Sequence, residues 1–249
     1  MEQMLFVANW KAYIEDRPRA KKLFALSKRL TKEARVKIVL APPAPYIGLL
    51  APRNVSSVGI AAQDISHTLG GAETGEVTAP VIASLGATYV LIGHSERRAR
   101  GDTDEVVRTK LARALVHGLT PILCVGEKER DPNGDYLATV RDQIASALAP
   151  VEAKKRSSIM IAYEPVWAIN QGSNAISAAD LGEMVLYIRK VLAELMPGRT
   201  GSRATVLYGG SVEPANVRAL AGGSGVDGFL VGHASVDPVT FTALVRALA

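Results

Sequence analysis

The chain has a single cysteine, Cys124, which excludes an internal disulfide. It lies in PILCVGE, inside an apolar run, the setting of a buried structural thiol rather than of a nucleophile. The four histidines, His67, His94, His117 and His233, have no metal-ligand spacing with one another or with Cys124, so no metal site is expected. No run of about 18 apolar residues occurs, so no membrane span is expected. The amino terminus, MEQMLFVANWK, enters a strand-like segment at once. It leaves no room for the charged region, apolar stretch and cleavage site of a secretion signal, and a cytoplasmic location is expected. Aromatic residues are not interleaved with the basic ones, which are scattered or grouped in threes such as KKR at Lys154 to Arg156. Nucleic-acid binding is therefore not expected. The surplus of 29 basic over 24 acidic residues, a net charge of +5, still favours anionic substrates. No low-complexity linker divides the 249 residues, and one domain over 1–249 is expected.

What is present is a repeating pattern. Short apolar, strand-like runs recur as MLFVAN from Met4, VKIVLA from Val36, VGIAAQ from Val58, TYVLIG from Thr88, PILCVG from Pro121, SIMIAY from Ser158, ATVLYG from Ala204 and DGFLVG from Asp227. Segments of helical character lie between them. Ile176 to Leu195 opens on a Ser177 and Asp180 capping pair and places Leu181, Val185, Ile188 and Leu192 on one face. Asp102 with Glu105 gives a similar start signal, and Pro238 after Asp237 marks the first turn of a last helix. Near-continuous apolar strands alternating with helices predict an α/β fold, a closed parallel (β/α)8 barrel of the usual size of about 250 residues. The rival is a doubly wound open sheet. Its strand signals would fall into two halves, and a GxGxxG turn would be expected after the first strand; neither occurs. No cofactor is expected.

In such a barrel, chemistry belongs at the carboxyl ends of the strands. The stretch AYEPVWAINQG changes character at Glu164, which offers a carboxylate where a buried strand meets a loop with a stiff start and a flexible end. That is the place of a general base. The first strand ends in NWK, with Asn9 and Lys11 on one side and Lys11 as a site cation; the fourth ends in GHSERR, which carries His94. The last two strands run into the glycine-bearing turns YGGSV at Tyr208 and VGHAS at Val231, slots where backbone amides commonly bind phosphate.

Taken together, NWK at Asn9, GHSERR at Gly93, AYEPVWAI at Ala162, YGGS at Tyr208 and LVG at Leu230 resemble the triosephosphate isomerase family. GAETGE at Gly71, GDTDE at Gly101 and PILCVGE at Pro121 extend the likeness over essentially the whole chain. The resemblance implies a TIM barrel and an aldose–ketose isomerase of glycolysis and gluconeogenesis that needs no cofactor. It implies Glu164 as the base that moves a proton between adjacent carbons and His94 as a neutral electrophile, a pairing for which this family is itself the standard illustration. Lys11 would stabilise negative charge on the substrate, Asn9 would orient it, and Glu96 would support Lys11. Residues 165–172 would form a closing lid, again a standard illustration drawn from this family. Backbone amides of Asn170, Ser211, Gly232 and His233 would hold the phosphate of the sugar substrate. The resemblance further implies a homodimer whose GAETGE loop enters the neighbour, with Thr74 near the partner's Asn9 and Lys11.

The sequence departs from the family pattern in three places. NWK continues with Ala12 and Tyr13 instead of Met and Asn, the lid ends in Asn170, Gln171 and Gly172 instead of GTG, and Gly232 is followed by His233 instead of a second glycine. Glycine often marks positive φ, a region that Asn and His enter more readily than most residues, so amide donation survives both changes. Two other functions fit the same residues: an isomerase of a four-carbon sugar phosphate, and a non-catalytic phosphate-binding scaffold.

Overall fold

A computed structural model describes residues 3–52, 54–169, 176–196 and 203–249. All eight apolar runs are strands, within two residues of the expected bounds: β1 (Leu5–Asn9), β2 (Lys37–Ala41), β3 (Gly59–Ala62), β4 (Tyr89–Ile92), β5 (Thr120–Val125), β6 (Met160–Tyr163), β7 (Val206–Tyr208) and β8 (Gly228–Val231). Every neighbouring pair is parallel, and β8 closes onto β1 with Leu5 opposite Gly228 and Ala8 opposite Val231. Closure rules out the open doubly wound sheet. The helices between and around the strands are α1 (Arg17–Glu33), α2 (Ala44–Leu50), α3 (Ala79–Ser84), α4 (Ser95–Arg98), α5 (Asp104–Val116), α6 (Asp135–Leu148), α7 (Ala153–Arg156), α8 (Ala178–Leu195), α9 (Val217–Ser224) and α10 (Pro238–Arg246). None of the described helices is long and apolar enough to cross a membrane.

Both faces of each strand are buried, which is why the strands read as continuous apolar runs. One face fills the barrel with Leu5, Val7, Val39, Ala41, Ala61, Leu91, Ile122, Cys124, Ala162, Leu207 and Leu230. The other packs Phe6, Ile38, Leu40, Ile161, Val206 and Phe229 against the helical ring. Each fully buried Leu, Ile or Val adds roughly 2 kcal/mol by leaving water. Because side chains alternate along a strand, the inward row Leu5, Val7 continues to Asn9, and Ala162 continues to Glu164. The residues that plug the barrel therefore lead directly into those that crown it.

Helix α8 begins as expected, its Ser177 hydroxyl accepting from Asp180 N–H at 3.0 Å, and it buries Leu181, Val185, Ile188 and Leu192. The last helix starts at Pro238 with Asp237 capping Thr240 N–H at 2.7 Å. The start of α5 is a correction. Its cap is Thr103, which accepts from Val106 N–H, while Asp102 turns inward to Lys110. A carboxylate beside a buried ammonium gains more there than at an exposed helix end.

That ammonium is only 2% exposed and is held by Asp64 at 2.8 Å and Asp102 at 2.6 Å. Burial pushes Asp64 above the usual carboxylate range, and the Lys110 hydrogen bond and charge only partly offset it. Lys110→Met is expected to destabilise the fold by about 3 kcal/mol, the low end for stranding buried charges. The low end applies because Arg97 still reaches Asp64 at 2.8 Å and Asp102 at 3.6 Å. Thermal unfolding at fixed protein concentration measures the loss; an unchanged midpoint would mean that Arg97 alone suffices.

Candidate active site

A cavity of about 550 Å³ opens at the carboxyl ends of the strands. It brings together Asn9, Lys11, His94, Glu164, Ser211, Gly232 and His233, each from the end of a strand, as the sequence predicts. Asn170 lies outside the described residues, as do Gln171 and Gly172; of the expected lid, the start is described, with a 3-10 turn at Val166–Ala168.

Glu164 follows β6 and is 3% exposed. One carboxylate oxygen accepts from Ser95 N–H at 3.1 Å, and the other lies 3.3 Å from His94 Nε2. His94 sits between β4 and α4, and its Nδ1 accepts a hydrogen bond from Glu96 N–H at 3.2 Å. A ring nitrogen that accepts carries no proton, so this contact assigns the neutral tautomer with its proton on Nε2, facing the cavity. A proton acceptor and a neutral donor thus meet over one space.

Lys11 supplies the cation. Its Nζ lies 2.9 Å from Glu96, whose carboxyl is raised by burial but brought below its ordinary range by the Lys11 hydrogen bond and charge. The Lys11 backbone is left-handed, with φ 46°. Such a conformation costs a lysine about 1–3 kcal/mol and persists only where neighbours over-determine it. Here its N–H donates to Asn9 Oδ1 at 3.0 Å, and the Gln63 amide donates to its carbonyl at 2.8 Å and to Ala41 O at 2.9 Å. Asn9 and Gln63 thereby fix where the ammonium emerges.

The glycine turns have a steric reason that sequence reading missed. A Cβ at Gly209 would lie 2.7 Å from Glu164 Cγ, and one at Gly210 would lie 2.1 Å from Tyr208 Oη. The pair leaves room for the carboxylate and for the buried phenol, whatever it also does for an anion. At β8 the expectation of positive φ at position 233 is overturned: among the described residues other than glycine only Lys11 and Arg35 have it. His233 opens a short 3-10 turn, His233–Ser235, so the imidazole is carried without backbone strain.

Further residues emerge only in three dimensions. Glu127, just past β5, is fully buried and accepts from Tyr163 Oη at 2.8 Å and Trp167 Nε1 at 2.7 Å. Arg130 stacks on Trp167 with 5.2 Å to the ring centroid. Ser211 Oγ donates to Ala168 O at 3.0 Å. These contacts anchor the segment that leaves Glu164. Cys124 is fully buried in the barrel, and burial first, then the neighbouring Glu164, raises its thiol well above the usual range. It stays a protonated packing group.

Fold and cavity have the form of a (β/α)8-barrel enzyme, with a carboxylate and an imidazole 3.3 Å apart at the carboxyl ends of its strands. A family model described as triosephosphate isomerase matches residues 4–248. Curated proteins named triosephosphate isomerase align over nearly the whole chain: the one from Moorella thermoacetica is 40% identical over 99% of both chains. That from Thermus thermophilus is also 40% identical over 99% of both, and that from Streptomyces coelicolor is 38% identical over 97% of this chain and 96% of its own. The chain belongs to the triosephosphate isomerase family.

Proposed function

We infer that this protein interconverts D-glyceraldehyde 3-phosphate and dihydroxyacetone phosphate, a step of glycolysis and gluconeogenesis in the cytoplasm. The observation that carries the chemistry is the 3.3 Å approach of the Glu164 carboxylate to the protonated Nε2 of a neutral His94 above a shared cavity. Glu164 removes a proton from the carbon beside the carbonyl and returns it to the neighbouring carbon. Negative charge then develops on the two oxygens of an enediolate, where the His94 N–H donates and the Lys11 ammonium attracts. Asn9, whose side chain already orders the Lys11 backbone, orients the sugar. The phosphate lies at the β7 and β8 ends, held by backbone amides of Ser211, Gly232 and His233, with Asn170 from the lid. Closure of residues 165–172 keeps water from the enediolate, which otherwise expels phosphate. Turnover of glyceraldehyde 3-phosphate tests this reading, and a four-carbon sugar phosphate assayed beside it tests substrate size. No turnover of the triose would refute the isomerase; preference for the four-carbon sugar would reassign it.

We also propose a homodimer in which the loop bearing Thr74 enters the neighbouring subunit, near the partner's Asn9 and Lys11. Support comes from the loop itself: residues 69–77 are all exposed, and Leu69 projects with 87% of its surface open. Val77 on the same loop is exposed as well, and apolar side chains grouped on one loop are what a docking site in a second copy would cover. Charged substitutions in this loop that force a monomer are expected to leave it folded and poorly active. Sedimentation paired with the isomerase assay checks this; a fully active monomer would rule out completion of the site in trans.

A further inference from the structure

We propose that the imidazole of His233, packed edge-to-face against Tyr13 at the cavity rim, is a side-chain contact for the substrate's phosphate, strong when the ring is protonated and weak when it is neutral. The proposal rests on the reading that the phosphate lies at the β7 and β8 ends.

The two rings meet at 5.6 Å between centroids and 80° between planes, and both line the cavity beside Lys11 and Ser211. Their meeting follows from the topology. Strands β1 and β8 are hydrogen-bonded neighbours, so the chains leaving them, one toward Tyr13 and the other into His233, emerge side by side. Arg19 of α1 ties the two together, donating from Nη1 to Tyr13 O at 3.3 Å and from Nη2 to Val236 O at 3.2 Å. Tyr13 is 45% exposed, one of the large hydrophobic residues left open on this surface, and its ring wall supports the imidazole at the cavity mouth. An aromatic neighbour tolerates an imidazolium, and favours it where the cation meets the ring face.

The charges around the imidazole are mixed. The Lys11 ammonium packs beside Gly232, where a Cβ would lie 3.6 Å from Nζ, and is paired with Glu96 at 2.9 Å. The Arg19 guanidinium is engaged with the two carbonyls. At the start of α10 the Asp237 carboxylate caps Thr240 and lies below its ordinary range, first through that backbone hydrogen bond and only in small part through the charge of His233. The phenol of Tyr13 is a further titratable group at the contact, and Glu213 lines the same cavity. Two cations, Lys11 and Arg19, and two carboxylates, Glu96 and Asp237, leave the local field near balance. A dianion arriving in the cavity then favours the protonated ring, and the protonated ring gains a charge-assisted hydrogen bond that the neutral ring lacks.

Sulfate is the probe, because its charge is constant between pH 6 and 8, where imidazoles change theirs. Its competitive inhibition constant should weaken over that range about fivefold more in the parent than in His233→Gln, the equivalent of about 1 kcal/mol for an exposed charged contact. Tyr13→Leu should lose part of the difference while keeping the imidazole. Calorimetry of sulfate binding in two buffers of different ionisation enthalpy should show proton uptake near pH 7 that His233→Gln reduces. Parallel pH profiles and equal proton uptake in parent and variant would overturn the inference and leave the phosphate site standing. Sulfate that fails to compete with substrate in either protein would overturn the phosphate site, and this inference with it.

Discussion

Glu164→Gln is expected to lower kcat by about 100-fold or more while the sulfate inhibition constant stays within about twofold, since a positioned general base contributes on the order of 10² to 10⁴. The substitution keeps shape and removes only the capacity to take a proton. The amide oxygen can still accept from Ser95 N–H, now at 3.1 Å from the carboxylate. Its NH2 would then face His94 Nε2, 3.3 Å away from the present carboxylate oxygen and itself a donor. Two donors facing each other weaken the approach, so the loss should sit in turnover rather than in phosphate binding. Steady-state rates with glyceraldehyde 3-phosphate, beside sulfate inhibition, separate the two effects. A variant with near-parent kcat would show that another group is the base.

Gly126→Ala should be nearly as damaging, although residue 126 performs no chemistry. Its added Cβ would lie 2.0 Å from the Glu164 carbonyl oxygen and 2.5 Å from the carbonyl carbon, both backbone atoms. Position 126 cannot retreat easily, because Gln143 of α6 binds both of its polar groups, accepting from Gly126 N–H at 2.9 Å and donating to Gly126 O at 3.1 Å. The Glu164 backbone must yield instead. A misplacement of about 1 Å can cost on the order of 100-fold in rate, and that is the expected fall in kcat. Gly222→Ala is the control: in α9, a Cβ there meets nothing within 4 Å, and activity should be unchanged. Parent-like turnover in Gly126→Ala would mean that the strand end yields without moving the carboxylate.

Much of the fold was legible because burial on both faces writes itself into a parallel strand as an unbroken apolar run. Glu164, Asn9 and Lys11 were legible because a polar residue directly after such a run has one place to go. A related signal could have found Glu127, which stands one residue further past β5 and on the helix-facing side; its partners, Tyr163 and Trp167, lie about 40 residues away in sequence. Gln63 and Gln143 act on backbone groups of other segments, and no local pattern announces that. Asp102 was misread for the opposite reason. The pattern Asp102–Glu105 is a sound local capping signal, and the buried ammonium of Lys110, eight residues further on and also held by Asp64, overrode it. For His233, the glycine pattern of the family suggested a backbone need, whereas the turn at His233–Ser235 has ordinary dihedrals.

The seam at which β8 meets β1 bears on how the protein comes into being. Asn9 and Lys11 leave the first strand, while Gly232 and His233 leave the last, and all four line one cavity. A chain emerging from the ribosome holds its cation from the outset and waits some 220 residues for the segment that completes its surroundings. Until then the edges of β1 and of the newest strand remain unpaired, and the cavity that these four residues line does not exist. The cavity and the closed barrel therefore arrive in one event, so a truncated chain that lacks β8 is expected to be inert toward substrate even where its earlier strands have already collapsed.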